Sequence, residues 1–245
     1  MYKERTYRKI MGKDLEHILL SEQESDIWIG LPKDSFDDDL IAELKHQLKI
    51  HRLLLKKYIE QHEVFQSTLK PYPPDEKAPV FIQEMIRASN QAGVGPMASV
   101  AGAFTKIIGD FMQSSNVESY IIENGGDLLI AGFLEITIAV HAGDSIFTDK
   151  IGIKINSNNK EYGICSSSGM FGHSFSFGVA DLVTIISDDI YLADAFATAI
   201  ANKVMTAEDI KELVEVAKHT KGISGALLIK EETLGAFGDF EIVEI

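Results

Sequence analysis

The hydrophobic positions of the chain change period along its length, and the changes mark out its elements. His17–Ser21 and Ser25–Leu31 read as short strands, with Ile27, Trp28 and Ile29 supplying β-type side chains. Thr6–Met11 reads the same way and is set off by Gly12-Lys13-Asp14. Beyond Ser35–Asp39, which offers caps and first-turn acids, Leu40, Ile41, Leu44, Leu48 and Leu55 recur at helical spacing. Lys45, Lys49, Lys56 and Lys57 lie mostly off that stripe, so this helix buries one face and solvates the other. Pro71–Pro79 holds four of the six prolines and cannot continue a helix. It is a connection too short to demand two domains, and Pro79 suits the start of a helix through Ile82, Met85 and Ile86.

Ala92–Phe104 is nearly all small and apolar. A turn at Gly93–Pro96 feeds a helix from Met97 to about Met112, whose small residues permit either tight helix packing or close approach of a ligand. Ser119–Glu123, Asp127–Ala131, Glu135–Val140 and Lys150–Ile155 read as strands. The last two alternate apolar and polar positions, the pattern of half-buried antiparallel strands. Val183–Ser187 is a further strand, and Asp189 caps an alanine-rich helix over Tyr191–Val204. Thr206-Ala-Glu-Asp209 is a capping box for a helix reaching about His219, and Ala226–Lys230 and Phe240–Glu244 close the chain as strands. Together these elements predict an α+β fold of antiparallel sheets packed with helices, as a single domain over residues 1–245.

Composition narrows the function classes. The formal charge is −14, from 37 acidic and 23 basic residues. Such a surface repels phosphate backbones and anionic headgroups, so neither nucleic acid nor membrane is an expected partner. A phosphorylated ligand stays admissible if a metal ion or backbone N–H groups supply local positive charge. One cysteine cannot form an intramolecular disulfide, which fits a reducing compartment. No apolar run follows the charges of Met1–Lys9, and no stretch of about 18 apolar residues occurs, so a cytoplasmic location is expected.

Four segments carry candidate chemistry. Glu123-Asn124-Gly125-Gly126-Asp127 joins two strands; its glycines bare the backbone, though Asn-Gly is also an ordinary hairpin signal. Gly163–Ser174 reads as a loop rich in N–H and hydroxyl donors, Ser167, Ser168 and Gly169 among them, around Cys165 and His173. A thiol there is either a nucleophile or sulfur carrier with a lowered pKa, or a small buried hydrophobe. Phe175 and Phe177 point the same way if extended, for ring stacking or for the core. Asp194 and Thr198 are one helical turn apart among alanines, so a carboxylate and a hydroxyl project side by side. A hard cation such as Mg²⁺ takes such oxygens; the alternative is that Asp194 caps or forms a salt bridge.

The order of these motifs resembles the ApbE superfamily of FAD:protein FMN transferases. It is closer to an ApbE-like branch of archaea and bacteria, whose signature pieces are similar to Val94–Gly102, Glu123–Asp127, Gly163–Gly169, Gly172–Gly178 and Ala193–Asn202. The resemblance spans nearly the whole chain, including the Tyr7-Arg8 start. It implies an ApbE-like fold with a site where FAD pyrophosphate meets Mg²⁺, held by Asp194 and Thr198. AMP and a protein carrying FMN on a Ser or Thr hydroxyl are the implied products. Glu123, Asn124, Gly125, Gly126, Asp127, Ser167, Ser168 and Gly169 are the expected cofactor-binding set, and Cys165 and His173 the expected catalytic residues. The chain departs from the transferases after Ser-Gly169, where it has Gly172-His173 and no Asp-Pro.

Three readings follow. One is Mg²⁺-dependent flavin or nucleotide phosphoryl transfer. A second is sulfur trafficking through a Cys165 persulfide, which the branch's link to sulfide assimilation and homocysteine formation implies. A third is a flavin or nucleotide binding module without catalysis. The expected partners are a small-molecule flavin or nucleotide, a protein acceptor or sulfur-transfer partner, and a second copy of the chain in a homodimer.

Overall fold

The computed structural model describes residues 8, 15–23, 25–33, 35–132, 135–169 and 178–245. The strand expected over Thr6–Met11 lies outside the described residues apart from Arg8. Strands β1 (Glu16–Glu22) and β2 (Ser25–Leu31) form a hairpin. Helix α1 (Asp38–Gln61) starts where Asp37 accepts the Leu40 amide, and it buries Leu44, Leu48 and Leu55 of the anticipated stripe together with Tyr58. A short α2 (Glu63–Ser67) and the proline segment lead to α3 (Val80–Ala92), which stops at Gly93 in the left-handed conformation. A 3₁₀ turn (Pro96–Ser99) then feeds α4 (Val100–Ser114).

The second half is mostly strand: β3 (Tyr120–Asn124), β4 (Asp127–Ala131), β5 (Glu135–Ala139), β6 (Ile151–Asn156), β7 (Tyr162–Ser167) and β8 (Leu182–Ser187). Helix α5 (Ile190–Ala201) follows, capped by Asp189 through the Leu192 amide as the sequence implied. Helix α6 (Asp209–Lys218), β9 (Gly225–Lys230), β10 (Thr233–Phe237) and β11 (Glu241–Glu244) complete the order. An eight-stranded sheet runs β1-β2-β3-β4-β7-β8-β9-β10, and a three-stranded sheet runs β11-β6-β5. Every pairing is antiparallel, so the α+β expectation holds.

Strand alternation explains the layers. On one face of the large sheet Ile29, Ile122, Leu129, Cys165, Val183 and Leu228 pack with the helices. On the other, Trp28, Ile121, Leu128, Ile130, Ile164 and Ile186 pack with Ile136 and Ile155 of the small sheet. The large sheet is therefore buried on both faces, and β3, β4 and β8 read as continuous apolar runs for that reason. Among the described residues, no helix is long and apolar enough to cross a membrane.

Three local expectations are corrected. Gly163–Ser167 is not loop: it lies in β7, between β4 and β8. Its small residues answer to packing, since a Cβ on Gly163 would stand 2.6 Å from Ile190 Cα on α5. Strand β10 escaped notice because Thr-Leu-Gly-Ala-Phe has weak alternation; its Gly235 lies against Ile210 and Val214 of α6. Half of the capping box forms: Asp209 accepts the Thr206 amide at 2.8 Å, but the Thr206 hydroxyl turns to the same carboxylate and the helix begins at Asp209.

Candidate functional site

The β3–β4 hairpin closes with Asn124 opposite Asp127 and a two-residue turn, Gly125 (φ 72°) and Gly126 (φ 107°). Both glycines take left-handed conformations that a side chain would strain. Alternation splits the polar residues between faces. Asn124 and Asp127 share the helix face, where Asn124 Nδ2 donates to the Ala101 carbonyl at 3.1 Å. Glu123 points to the opposite face, and its Oε1 reaches round to accept the Gly126 amide at 2.8 Å. The Gly126 N–H, expected to face a ligand, is thereby engaged within the turn. Asp127 Oδ1 accepts the Ser166 amide of β7 at 3.3 Å.

The small residues of α4 serve close approach to a second helix. Gly102 N donates to Asp194 Oδ2 at 2.8 Å. A Cβ on Gly102 would lie 2.9 Å from the Ile190 carbonyl oxygen and 3.0 Å from Asp194 Cβ. Ala101 also donates its amide to this carboxylate. Ala101 and Gly102 belong to the first turn of α4, whose N–H groups have no partner within their own helix. Asp194, projecting from α5, thus caps α4 from outside.

Asp194 is buried, and that burial pushes its carboxyl up to about 7, against the lowering effect of the two amides. Asp127 is pushed well above the ordinary carboxylate range by burial and then by the Asp194 charge. The amide of Ser166, donating to its Oδ1, acts the other way on it. The two acids therefore lie within electrostatic reach of each other, from β4 and α5.

Cys165 faces the same cluster but is fully buried. Its S–H donates to the Ile190 carbonyl oxygen at 3.7 Å, and the Asp127 carboxylate lies near enough to act on it. Burial, then the charges of Asp127 and Asp194, raise the thiol well above its ordinary value. These forces favour a hydrogen-bond donor over a nucleophilic thiolate. Ser167 is half-buried opposite Val183, at the far end of β7. Ser168 follows it, and Gly169 donates its amide to the Ala180 carbonyl at 2.8 Å. Thr198 is half-buried on α5, one turn beyond Asp194. His173, Phe175 and Phe177 lie outside the described residues.

The oxygens of Asp194 and Thr198, with Asp127 alongside, fit a hard divalent cation in donor type and charge. Among the described residues no three His, Cys, Asp or Glu gather as a ready metal cage. Sequence reasoning missed Gly102 as the partner of Asp194; its small-residue neighbourhood was the available signal.

A family model described as AbpE bacteria matches residues 8–228. A UPF0280 protein of Methanosarcina acetivorans is 36% identical over 199 residues, covering 81% of this chain and 78% of its own. A UPF0280 protein of Methanospirillum hungatei is 39% identical over 188 residues, covering 76% of each chain. Among solved structures, the flavin transferase ApbE from Vibrio cholerae superposes with a TM-score of 0.53 at 14% identity, covering 91% of this chain and 97% of its own. The apo flavinyl transferase ApbE of Pseudomonas stutzeri gives 0.54 at 13% identity, covering 91% and 94%. At such identities the superpositions show a shared fold.

Proposed function

Because the chain belongs to the ApbE-like family described as AbpE bacteria, we propose that it transfers a flavin nucleotide by cation-dependent cleavage of FAD. Asp194 and Thr198 would hold Mg²⁺, with Asp127 beside them. Bound there, the cation supplies charge neutralisation and polarisation for a pyrophosphate. The chain's own contribution is positional. The Ala101 and Gly102 amides orient the Asp194 carboxylate, and Asn124 ties the hairpin to the same turn of α4. The Ser166 amide donates to Asp127 and keeps it in place. His173 is the proposed acid, base or phosphate contact, and the expected products are AMP and FMN on a protein hydroxyl. The partners in this reading are a flavin nucleotide and a protein acceptor.

The observation that carries the reading is Asp194, buried with its Oδ2 on the Gly102 amide at the first turn of α4, with Asp127 also buried and within reach of its charge. Buried carboxylates are costly without a compensating charge. The test is incubation of the purified protein with FAD, Mg²⁺ and a Ser/Thr acceptor peptide, measuring AMP. AMP release by the native chain, lost in Asp194→Ala, is the expected result. Tight flavin binding with no AMP would replace transfer by a non-catalytic flavin-binding role.

A further inference from the structure

The far side of the sheet from Asp127 carries a second arrangement that the site itself does not explain. Glu123 is fully buried at the end of β3, facing away from the helices. Its Oε2 accepts from Arg8 Nε at 2.5 Å, and Arg8 Nη2 lies 2.5 Å from the same oxygen. Arg8 is itself tied to β2: Nη1 stands 3.1 Å from Asp26 Oδ1, and Nη2 donates to the Asp26 carbonyl at 3.0 Å. The other oxygen of Glu123 holds the Gly126 amide at 2.8 Å. Gly126 immediately precedes Asp127, and both turn glycines are at positive φ, the backbone with the widest freedom to rearrange.

We propose that Arg8 and Glu123 are a positioning pair for the cation site. Arg8 fixes the Glu123 carboxylate, Glu123 fixes the Gly125–Gly126 turn, and the turn sets Asp127 opposite Asp194. The pair touches neither cation nor substrate; it acts through one amide from the opposite face of the sheet. Carboxylates that aim a ligating group from outside the coordination shell change metal affinity by about 10–100-fold when lost. A buried ion pair is at best weakly stabilising against an apolar replacement, so overall stability alone does not account for this one. The inference rests on the cation reading above for its functional consequence, and on the hairpin geometry for its structural one.

The test uses the full-length protein, with Mn²⁺ as the probe in electron paramagnetic resonance titrations and amide hydrogen exchange at Gly126 by NMR. Arg8→Met is expected to weaken Mn²⁺ binding by about tenfold and to speed Gly126 exchange by about tenfold, with Arg8→Lys recovering most of both. Arg8→Met leaves a buried carboxylate unpaired and is the variant at risk of misfolding. Arg8→Met/Glu123→Met removes both charges and leaves no carboxylate in the fully buried position, Asp26 being 17% exposed; it is expected to fold and to show the same two losses. Native Mn²⁺ affinity and native Gly126 exchange in a folded double variant would overturn the proposal. If the native chain binds no Mn²⁺, the cation reading fails by itself, and Gly126 exchange still decides whether the pair holds the turn.

Discussion

Gly102 and Asp194 meet across two helices, with the Gly102 amide 2.8 Å from Asp194 Oδ2 and room for no methyl group between them. Gly102→Ala therefore sets two effects against each other. Alanine favours an exposed helix by about 1 kcal/mol over glycine. Here the new Cβ would press on the Ile190 carbonyl and the Asp194 side chain, and overpacking of a buried contact costs about 1–3 kcal/mol. The contact wins, because backbone on both helices must shift. Urea unfolding should show Gly102→Ala less stable than the native chain; equal or greater stability would mean that α4 and α5 lie further apart.

The buried acids make stability fall with pH. Asp194 titrates near 7 in the folded protein against 3.8 as a free side chain, so the folded state holds its proton more tightly than the unfolded chain. Its stabilising proton is fully in place below about pH 4, and the benefit is lost as pH rises through about 7. Asp127 is raised too and acts with the same sign. In EDTA the urea midpoint should drop between pH 5 and pH 8, and Mg²⁺ should restore part of it at pH 8. The charge of −14 also disfavours the folded state at high pH, so the diagnostic is the difference between the native chain and Asp194→Asn. That difference should change with pH; a pH-independent difference would show that Asp194 is not held up.

Cys165 should be silent in the folded protein. With the thiol buried and raised, alkylation by iodoacetamide at pH 8 is expected only on unfolding. Cys165→Ser keeps a donor for the Ile190 carbonyl and should bind Mn²⁺ within about threefold of the native affinity, since the lost hydrogen bond is replaced by one of similar strength. Rapid labelling of the native chain, or one added sulfur by intact mass after treatment with polysulfide, whose sulfane sulfur passes to the thiolate with loss of the shortened polysulfide, would return Cys165 to the chemistry of a sulfur carrier.

Tyr120 and Glu161 offer a control remote from the proposed cation ligands. The Tyr120 hydroxyl donates to Glu161 Oε2 at 2.6 Å from a ring that is wholly buried. Tyr120→Phe should cost about 1.5–3 kcal/mol, the range for a hydrogen bond to a charged group, and should leave Mn²⁺ affinity unchanged. A joint loss of stability and Mn²⁺ binding would indicate that the site responds to global loosening rather than to its own geometry.

How much of this was legible in the chain differs by element. Helix α1 follows its stripe from Leu44 to Leu55, and α5 starts where Asp189 can cap it. These are local signals with a local cause. Strand β7 was hidden because Gly163, Cys165 and Ser166 look like loop residues, whereas Gly163 and Cys165 face α5 and their small size lets that helix lie on the sheet. The site was legible as separate parts: Glu123–Asp127 as a hairpin, and Asp194 and Thr198 as a helical pair. That Asp127 meets Asp194, that Gly102 is capped by it, and that Glu123 faces the other way are consequences of strand order and alternation. Residues so far apart in sequence carry no local pattern that announces such a meeting.

The central claim is that a divalent cation at Asp194 links this chain to the pyrophosphate of a flavin nucleotide. Calorimetric titration of FAD into the native protein at pH 7, once with Mg²⁺ and once with EDTA, tests it most directly. Saturable binding with Mg²⁺, weakened at least about tenfold both by EDTA and by Asp194→Ala, is the predicted result. Equal FAD affinity in EDTA, or in Asp194→Ala, would contradict it.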